Sequence, residues 1–379
     1  MPRRDDPLSI AVVAGIRSQH IKMAALQRAI NEWKARGREI RALYINAGQH
    51  YDAVLASRFI EELGIVYDVV IAHNDRDPMV ITASIVVELH KLFLERRSEL
   101  DYVIVFGDAN TTLAGAVAAA KAGLPLVHVE SGVRVGSLQS SEEINRVVAD
   151  RLSRLRFATT SEDLANLKHE ALETNTYWVG DVVRDLVLSL KRNGLRPGIE
   201  DHTGPYVLAS LHRDENLHEP FLLETVLEAL EAARLPAFFI THPRAADRAD
   251  DFIRVRGLSR VKTVHGMNYH ETLAAVLGSQ FLFTDSGAFQ REAYYLGKRC
   301  VVRQERAFWP AFVRAGIHST CGTAREDIDA ALERTDRMVL NGEPYPEIDD
   351  FGDGTAASRI IAVLHDHLND VRGSRMDRA

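Results

Sequence analysis

The feature that most narrows the fold is an alternation. Short apolar runs are each closed by a glycine or a small polar or charged residue, and a helical pattern follows. Residues 10–14 read as a buried strand, 21–36 as an amphipathic helix and 40–46 as the next strand. Residues 102–106 form a further strand that Gly107 and Asp108 turn into an Ala-rich helix reaching about residue 122. Residues 124–129 follow as a strand, with Glu130 just past its end. Strands alternating with helices predict parallel β-α-β units with right-handed crossovers. The pattern restarts after a stretch rich in Gly, Pro and charge at residues 193–205, the expected linker. There, strands at 206–210, 237–241 and 280–284 accompany a helix at 220–233, and Asp285, Ser286 and Gly287 open another. A chain of 379 residues is too long for one ordinary core, so two α/β domains are expected.

Composition removes several classes. A net charge of −7 gives no support to nucleic-acid or anionic-membrane binding, though it leaves room for a small basic pocket. Cys300 and Cys321 are too few for a disulfide framework and have no metal-ligand spacing. No apolar run approaches the roughly 20 residues of a bilayer span, and the charged start is not followed by a signal peptide's apolar stretch. A cytoplasmic location is the expectation.

In open parallel sheets, ligands bind beyond the carboxyl ends of the strands. Polar residues crowd those positions: Arg17 after the first strand, Asp108 to Thr112, Glu130 to Arg134, His212 to Glu215, His242 to Arg244, and Asp285 to Gly287. Ser286 and Gly287 at a helix start suit a phosphate, because backbone N–H groups and the helix dipole point there; an ordinary N-cap fits equally well. Glu292 lies under two turns further on, within reach of ribose hydroxyls or simply on a solvated face. Asp108, Glu130 and the pair Glu142 and Glu143 form an acidic group suited to proton transfer, though each alone also reads as a turn or helix-start residue. His212 and His242 share no metal spacing, and no metal is expected. P-loop, dinucleotide-fingerprint and nucleophile-elbow motifs are all missing.

Taken in order, several segments carry a resemblance. They are Gly15-Ile16-Arg17 with Ile21-Lys22-Met23, Gly48-Gln49-His50, Gly107-Asp108 with Thr111-Thr112, and His128 through Arg134. Glu142 through Arg146, His212 through Asn216, Thr284 through Gly287 and Phe351 through Gly354 complete the series. Together they resemble the UDP-N-acetylglucosamine 2-epimerase family, most of all its non-hydrolysing bacterial branch, from about residue 10 to 364.

The resemblance implies an α/β fold of two Rossmann-like domains in a GT-B-type architecture with an interdomain active-site cleft. The domains would span residues 1–192 and 193–354, and residues 355–379 would supply a helix returning to the first. It implies epimerisation at carbon 2 of a UDP-N-acetylhexosamine: UDP leaves, a glycal remains bound, and UDP re-adds, with no cofactor. Asp108, Glu130 and Glu142 look like the catalytic acids, and His212 like the group assisting UDP departure. Arg17, Lys22, Arg146, Arg213, Ser286, Gly287 and Glu292 look like substrate and UDP contacts. Gln49, His50 and His242 match positions that touch a second, regulatory UDP-sugar in some members. The UDP-sugar is the expected partner, and a homodimer the expected assembly.

The chain also departs from the pattern. The family's Arg-Pro-Glu becomes Arg17-Ser18-Gln19, a Pro becomes Ser141, and the second Gly of the phosphate turn becomes Ala288. Glu-Arg-Pro-Glu becomes the longer, more aromatic segment from Glu305 to Pro310. These changes are expected at the rim of the site, pointing to retained elimination chemistry on an altered sugar. A hydrolysing epimerase, a GT-B glycosyltransferase and a nucleotide-sugar sensor are the competing readings.

Overall fold

The computed structural model describes residues 7–48, 59–73, 75, 77–200, 202–219, 221–242, 244–304 and 309–376. The chain divides into two compact units, one formed by Met1–Leu186 with Asp349–Ala379 and the other by Val187–Ile348.

The first unit carries a seven-stranded sheet of β1 (Leu8–Ala14), β2 (Ile40–Asn46), β3 (Val69–Val70), β4 (Tyr102–Phe106), β5 (Leu126–Ser131), β6 (Leu155–Ala158) and β7 (Thr176–Trp178). Its order is β3-β2-β1-β4-β5-β6-β7, with neighbouring strands parallel. Every residue of β4 is buried, because helices cover both faces of a parallel sheet; the strand therefore reads as a continuous apolar run. The helix Asn110–Ala122 packs on it through small residues. A Cβ at Gly115 would stand 2.8 Å from Val105, so only a glycine allows this approach. Burying side chains such as Val103, Val105 and Phe93 contributes about 1.5–3 kcal/mol each.

The chain's last long helix, Ala356–Met376, belongs to this unit. Its opening N–H groups, those of Ala356 and Ala357, donate to the Asp185 carboxylate at 3.1 and 2.7 Å. The turn before it brings Gly352 against Gly180, where an added Cβ would meet backbone at 2.8–2.9 Å. Both glycines have positive φ, 77° and 92°, so this turn needs them twice over.

The second unit carries β8 (Val207–Ser210), β9 (Ala237–Ile240), β10 (Val261–Val264), β11 (Phe281–Thr284), β12 (Arg299–Arg303) and β13 (Ser319–Cys321). The order is β10-β9-β8-β11-β12-β13, again parallel. Both sheets are thus Rossmann-like, and the expected α/β class holds. In each, strand order reverses once: between β1 and β4, and between β8 and β11. A crevice opens beyond the strand ends at such a reversal, and ligands bind there.

Candidate active site

At the β1/β4 reversal the structure gathers two ion pairs. Glu130 is a residue of β5 rather than the first beyond it, and its backbone has φ 68°. The ladder to β6 shifts register there, between Val129 and Ser131. A non-glycine in the left-handed region costs about 1–3 kcal/mol and persists where its surroundings hold it. The Lys22 ammonium does so, donating to Glu130 Oε1 at 2.7 Å, with side chains only 4% and 12% exposed. Gly107 is their neighbour: its φ of 59° favours glycine, and a Cβ there would lie 2.9 Å from Lys22 Nζ and 3.3 Å from Glu130 Oε1, displacing the pair.

The next residue, Asp108, takes a hydrogen bond on its carboxylate from the Arg146 guanidinium. Its backbone carbonyl accepts from Asn145 Nδ2 at 2.8 Å. The helix Ser141–Leu152 therefore reads the Asp108 turn through two consecutive residues. Its first-turn acids diverge. Glu142 is exposed and accepts from Ser140 Oγ at 2.6 Å. Glu143 is buried, accepts the N–H groups of Val135 and Gly136 at 3.0 and 3.1 Å, and pairs with Arg146 at 3.4 Å. Glu143 thus lies beside Arg146 and Asp108, a placement that the i,i+3 spacing to Arg146 already contains.

Gln19 corrects an expectation. It is 2% exposed and lies inside the unit, not at a rim. Its Oε1 accepts from Gly15 N, Ile16 N and Thr111 Oγ1 at 2.8, 3.3 and 2.8 Å. Its Nε2 donates to the Phe106 carbonyl at 3.0 Å and to Thr112 Oγ1 at 2.8 Å. Thr112 spends its own proton on the same carbonyl, at 2.6 Å. The position therefore needs an amide, since a carboxylate would set a second acceptor against Phe106. Gln19 ties the end of β1 to the end of β4.

At the β8/β11 reversal the organising group is Asp285, fully buried at the end of β11. Its carboxylate accepts from the N–H groups of His212 and Arg213 at 3.0–3.2 Å and from Asn216 Nδ2 at 2.9 Å. His212 Nδ1 lies 3.5 Å away, and Arg213 Nε donates to the Asp285 carbonyl at 2.9 Å. With its amide oxygen turned to Arg213, Gln304 accepts from the guanidinium at 2.9–3.1 Å. His212 and Arg213 each keep a third of the side chain exposed.

Ser286 caps the helix Gly287–Tyr295, accepting from Phe289 N at 3.3 Å. The cap and the anion site are compatible, because the first two helical N–H groups, those of Gly287 and Ala288, have no intrahelical acceptor. Ala288 is helical and exposed, so its methyl group demands no special φ. Glu292 is buried, not a solvated face, and accepts from Tyr269 Oη at 3.0 Å. Trp309 Nε1 donates to the Gly287 carbonyl at 3.0 Å, and Arg291 lies over its ring.

Other expected residues stand elsewhere. Arg17 is exposed, its guanidinium 4.8 Å from the centre of the Phe59 ring, whereas Lys22 is buried at Glu130. His242 follows β9, where its Nδ1 accepts from Arg244 N at 3.3 Å. Gln49, His50 and Phe308 lie outside the described residues. Among the described residues, no cluster of three His, Cys, Asp or Glu could hold a metal ion. None of the described helices is long and apolar enough to cross a membrane.

Comparison with known proteins identifies the family. A family model described as UDP-N-acetylglucosamine 2-epimerase matches residues 33–365. A UDP-2,3-diacetamido-2,3-dideoxy-D-glucuronate 2-epimerase of Pseudomonas aeruginosa is 32% identical over 370 residues, covering 94% of this chain and 99% of its own. A UDP-N-acetylglucosamine 2-epimerase of Methanocaldococcus jannaschii is 28% identical over 375 residues, covering 94% and 99%. A crystal structure of the enzyme from that organism, in complex with UDP-GlcNAc and UDP, superposes with TM-score 0.78 at 27% identity, covering 94% of this chain and 99% of that one. The chain belongs to the UDP-N-acetylglucosamine 2-epimerase family and is an isomerase of that kind.

Proposed function

We propose that the chain inverts carbon 2 of a UDP-linked 2-acetamido sugar by eliminating UDP and adding it back. The observation that carries this reading is the pair of carboxylates at one strand-order reversal, Asp108 with Arg146 and Glu130 with Lys22. A carbon-2 proton is weakly acidic, so a base must act while a good leaving group departs. One carboxylate of the group takes that proton, and the C–H electrons form the C1–C2 double bond. The C1–O bond breaks, and its electrons leave with UDP. Reprotonation of carbon 2 from the opposite face, followed by attack of the UDP oxygen on carbon 1, gives the epimer. Glu142, exposed on its helix, is assigned to the same proton relay.

UDP is assigned to the β8/β11 end. The Arg213 and His212 side chains, each a third exposed beside Asp285, and the Ser286-Gly287 helix start are assigned to the diphosphate as its charge grows. Glu292, held by Tyr269, is assigned to the ribose. The identity with the P. aeruginosa enzyme supports a substrate bearing a modified sugar, of which a 2,3-diacetamido uronate is the first to test.

The test is NMR in D₂O with UDP-GlcNAc and UDP-2,3-diacetamido-2,3-dideoxyglucuronate. Loss of the carbon-2 proton with a UDP-linked epimer is expected, faster for the second sugar. Free sugar as the product would make this a hydrolysing epimerase, and no exchange with either would overturn the reading. UDP-GlcNAc as the better substrate would remove the modified sugar.

A further inference from the structure

Behind the paired carboxylates lies a histidine to which none of the foregoing chemistry gives a part. His128, in β5, is fully buried. Its Nδ1 stands 2.6 Å from Asp150 Oδ1, and its Nε2 stands 2.7 Å from the Gly107 carbonyl oxygen. A carbonyl oxygen only accepts. The Asp150 carboxylate also acts as an acceptor: Gly132 N at 3.1 Å and Arg134 Nη2 at 2.8 Å donate to its other oxygen, and the Arg134 charge favours the ionised group, which has no proton to give. A neutral imidazole has one donor and one lone pair, so it would set that lone pair against an acceptor at one end. Turning the ring over would replace both nitrogens with carbons.

We propose that His128 is a positioning residue, held as a doubly protonated imidazolium between Asp150 and the Gly107 carbonyl, that fixes the Asp108 turn for proton transfer. The consequence follows from connectivity. Gly107 precedes Asp108, and a Cβ added to it would meet Lys22 and Glu130. Asp150, at the far end of the imidazolium, also anchors Gly132, two residues past Glu130. One buried ion pair therefore clamps both acid-bearing turns from the side away from solvent. Asp150 is tied down in turn: burial would push its carboxyl up, but His128 and Arg134 outweigh this and hold it below the ordinary range. Arg134 is itself fixed by Glu170 at 2.7 and 3.0 Å, and Arg156 Nε donates to the Asp150 carbonyl at 2.8 Å.

This inference rests on the epimerase reading but fails separately from it. The probe is carbon-2 deuterium exchange into whichever of the two UDP-sugars the wild-type protein exchanges faster, together with ¹⁵N NMR of histidine-labelled protein. The His128 signals are identified by their loss in His128→Gln. Both wild-type His128 nitrogens are expected in the protonated range under the conditions of the exchange assay. His128→Gln is expected to lower kcat for exchange about 100-fold, as a misplaced catalytic group does, with the UDP Kd changed less than about twofold. Asp150→Asn lets a neutral ring keep its Nε2–H on Gly107 while Nδ1 accepts from the new amide. It should therefore show one protonated nitrogen and lose less than about tenfold in kcat. An unprotonated wild-type ring nitrogen, or a folded His128→Gln protein exchanging at the wild-type rate, would overturn the inference. So would an Asp150→Asn protein as slow as His128→Gln. If wild type exchanges neither sugar, the epimerase reading falls and takes this role with it, whatever the ¹⁵N signals show.

Discussion

The two strand-order reversals solve opposite problems with the same topology. At β1/β4, carboxylates are held by cations from the same unit: Glu130 by Lys22, Asp108 by Arg146. At β8/β11 the carboxylate is turned inward, and Asp285 is satisfied by backbone and amide donors. The first arrangement fixes negative charge against a neighbouring cation. The second buries a negative charge among donors of its own unit, next to the start of a helix. A carboxylate in a Rossmann-like unit thus takes its role from what satisfies it.

Breaking one side should leave the other working. Asp108→Asn is expected to reduce carbon-2 exchange about 10³-fold, the order seen for loss of an acid or base, with UDP affinity by calorimetry kept within about twofold. Loss of UDP binding in that variant would merge the two roles.

The comparison sharpens with pH. Asp163, under the Gly132 turn, accepts from Thr160 N at 2.9 Å, and its carboxyl is pushed up to about 7, by burial first and in smaller part by Glu130. A carboxyl raised above its unfolded value stabilises fully below about pH 4 and loses that contribution as pH rises through about 7. Asn keeps the acceptor without the charge. Asp163→Asn should therefore match wild type in thermal unfolding at pH 4 and exceed it at pH 8, by roughly 4 kcal/mol at most. A gap independent of pH would refute this.

On the other side, Arg213→Ala should weaken UDP binding by about 1.5–3 kcal/mol, as loss of a charged hydrogen bond does. Exchange at saturating substrate should change far less. A large loss of kcat at unchanged UDP affinity would place Arg213 with the proton chemistry. The smallest effect is expected at Gln19: Glu there sets an acceptor against the Phe106 carbonyl and should cost about 1–3 kcal/mol in denaturant unfolding. No loss would mean that the ends of β1 and β4 do not depend on that amide.

Local pattern revealed β2 and β4 to the residue; β4 is plain because a buried parallel strand is a continuous apolar run, here closed by a glycine. It revealed neither β3 nor β7, of two and three residues, which are too short to carry a period. It ended β5 at Val129, since a glutamate looks like a strand's end; the ladder instead resumes beyond a left-handed residue. The site was legible as places and illegible as pairs. Strand ends located Asp108, Glu130 and Asp285, but Lys22 reaches Glu130 across 108 residues and Gln19 reaches Phe106 across 87. No local period records such partners. For the same reason Gln19 looked like a lost charge at a rim when it is a buried fastening.

Elimination and re-addition require that the bond from carbon 1 to UDP breaks and re-forms. Positional isotope exchange tests it directly: a UDP-sugar carrying ¹⁸O in the bridge between carbon 1 and the β-phosphate is incubated with the protein and followed by ³¹P NMR. The label is expected to move into non-bridging β-phosphate positions at a rate comparable to carbon-2 deuterium exchange. Carbon-2 exchange with the label still wholly in the bridge would contradict it.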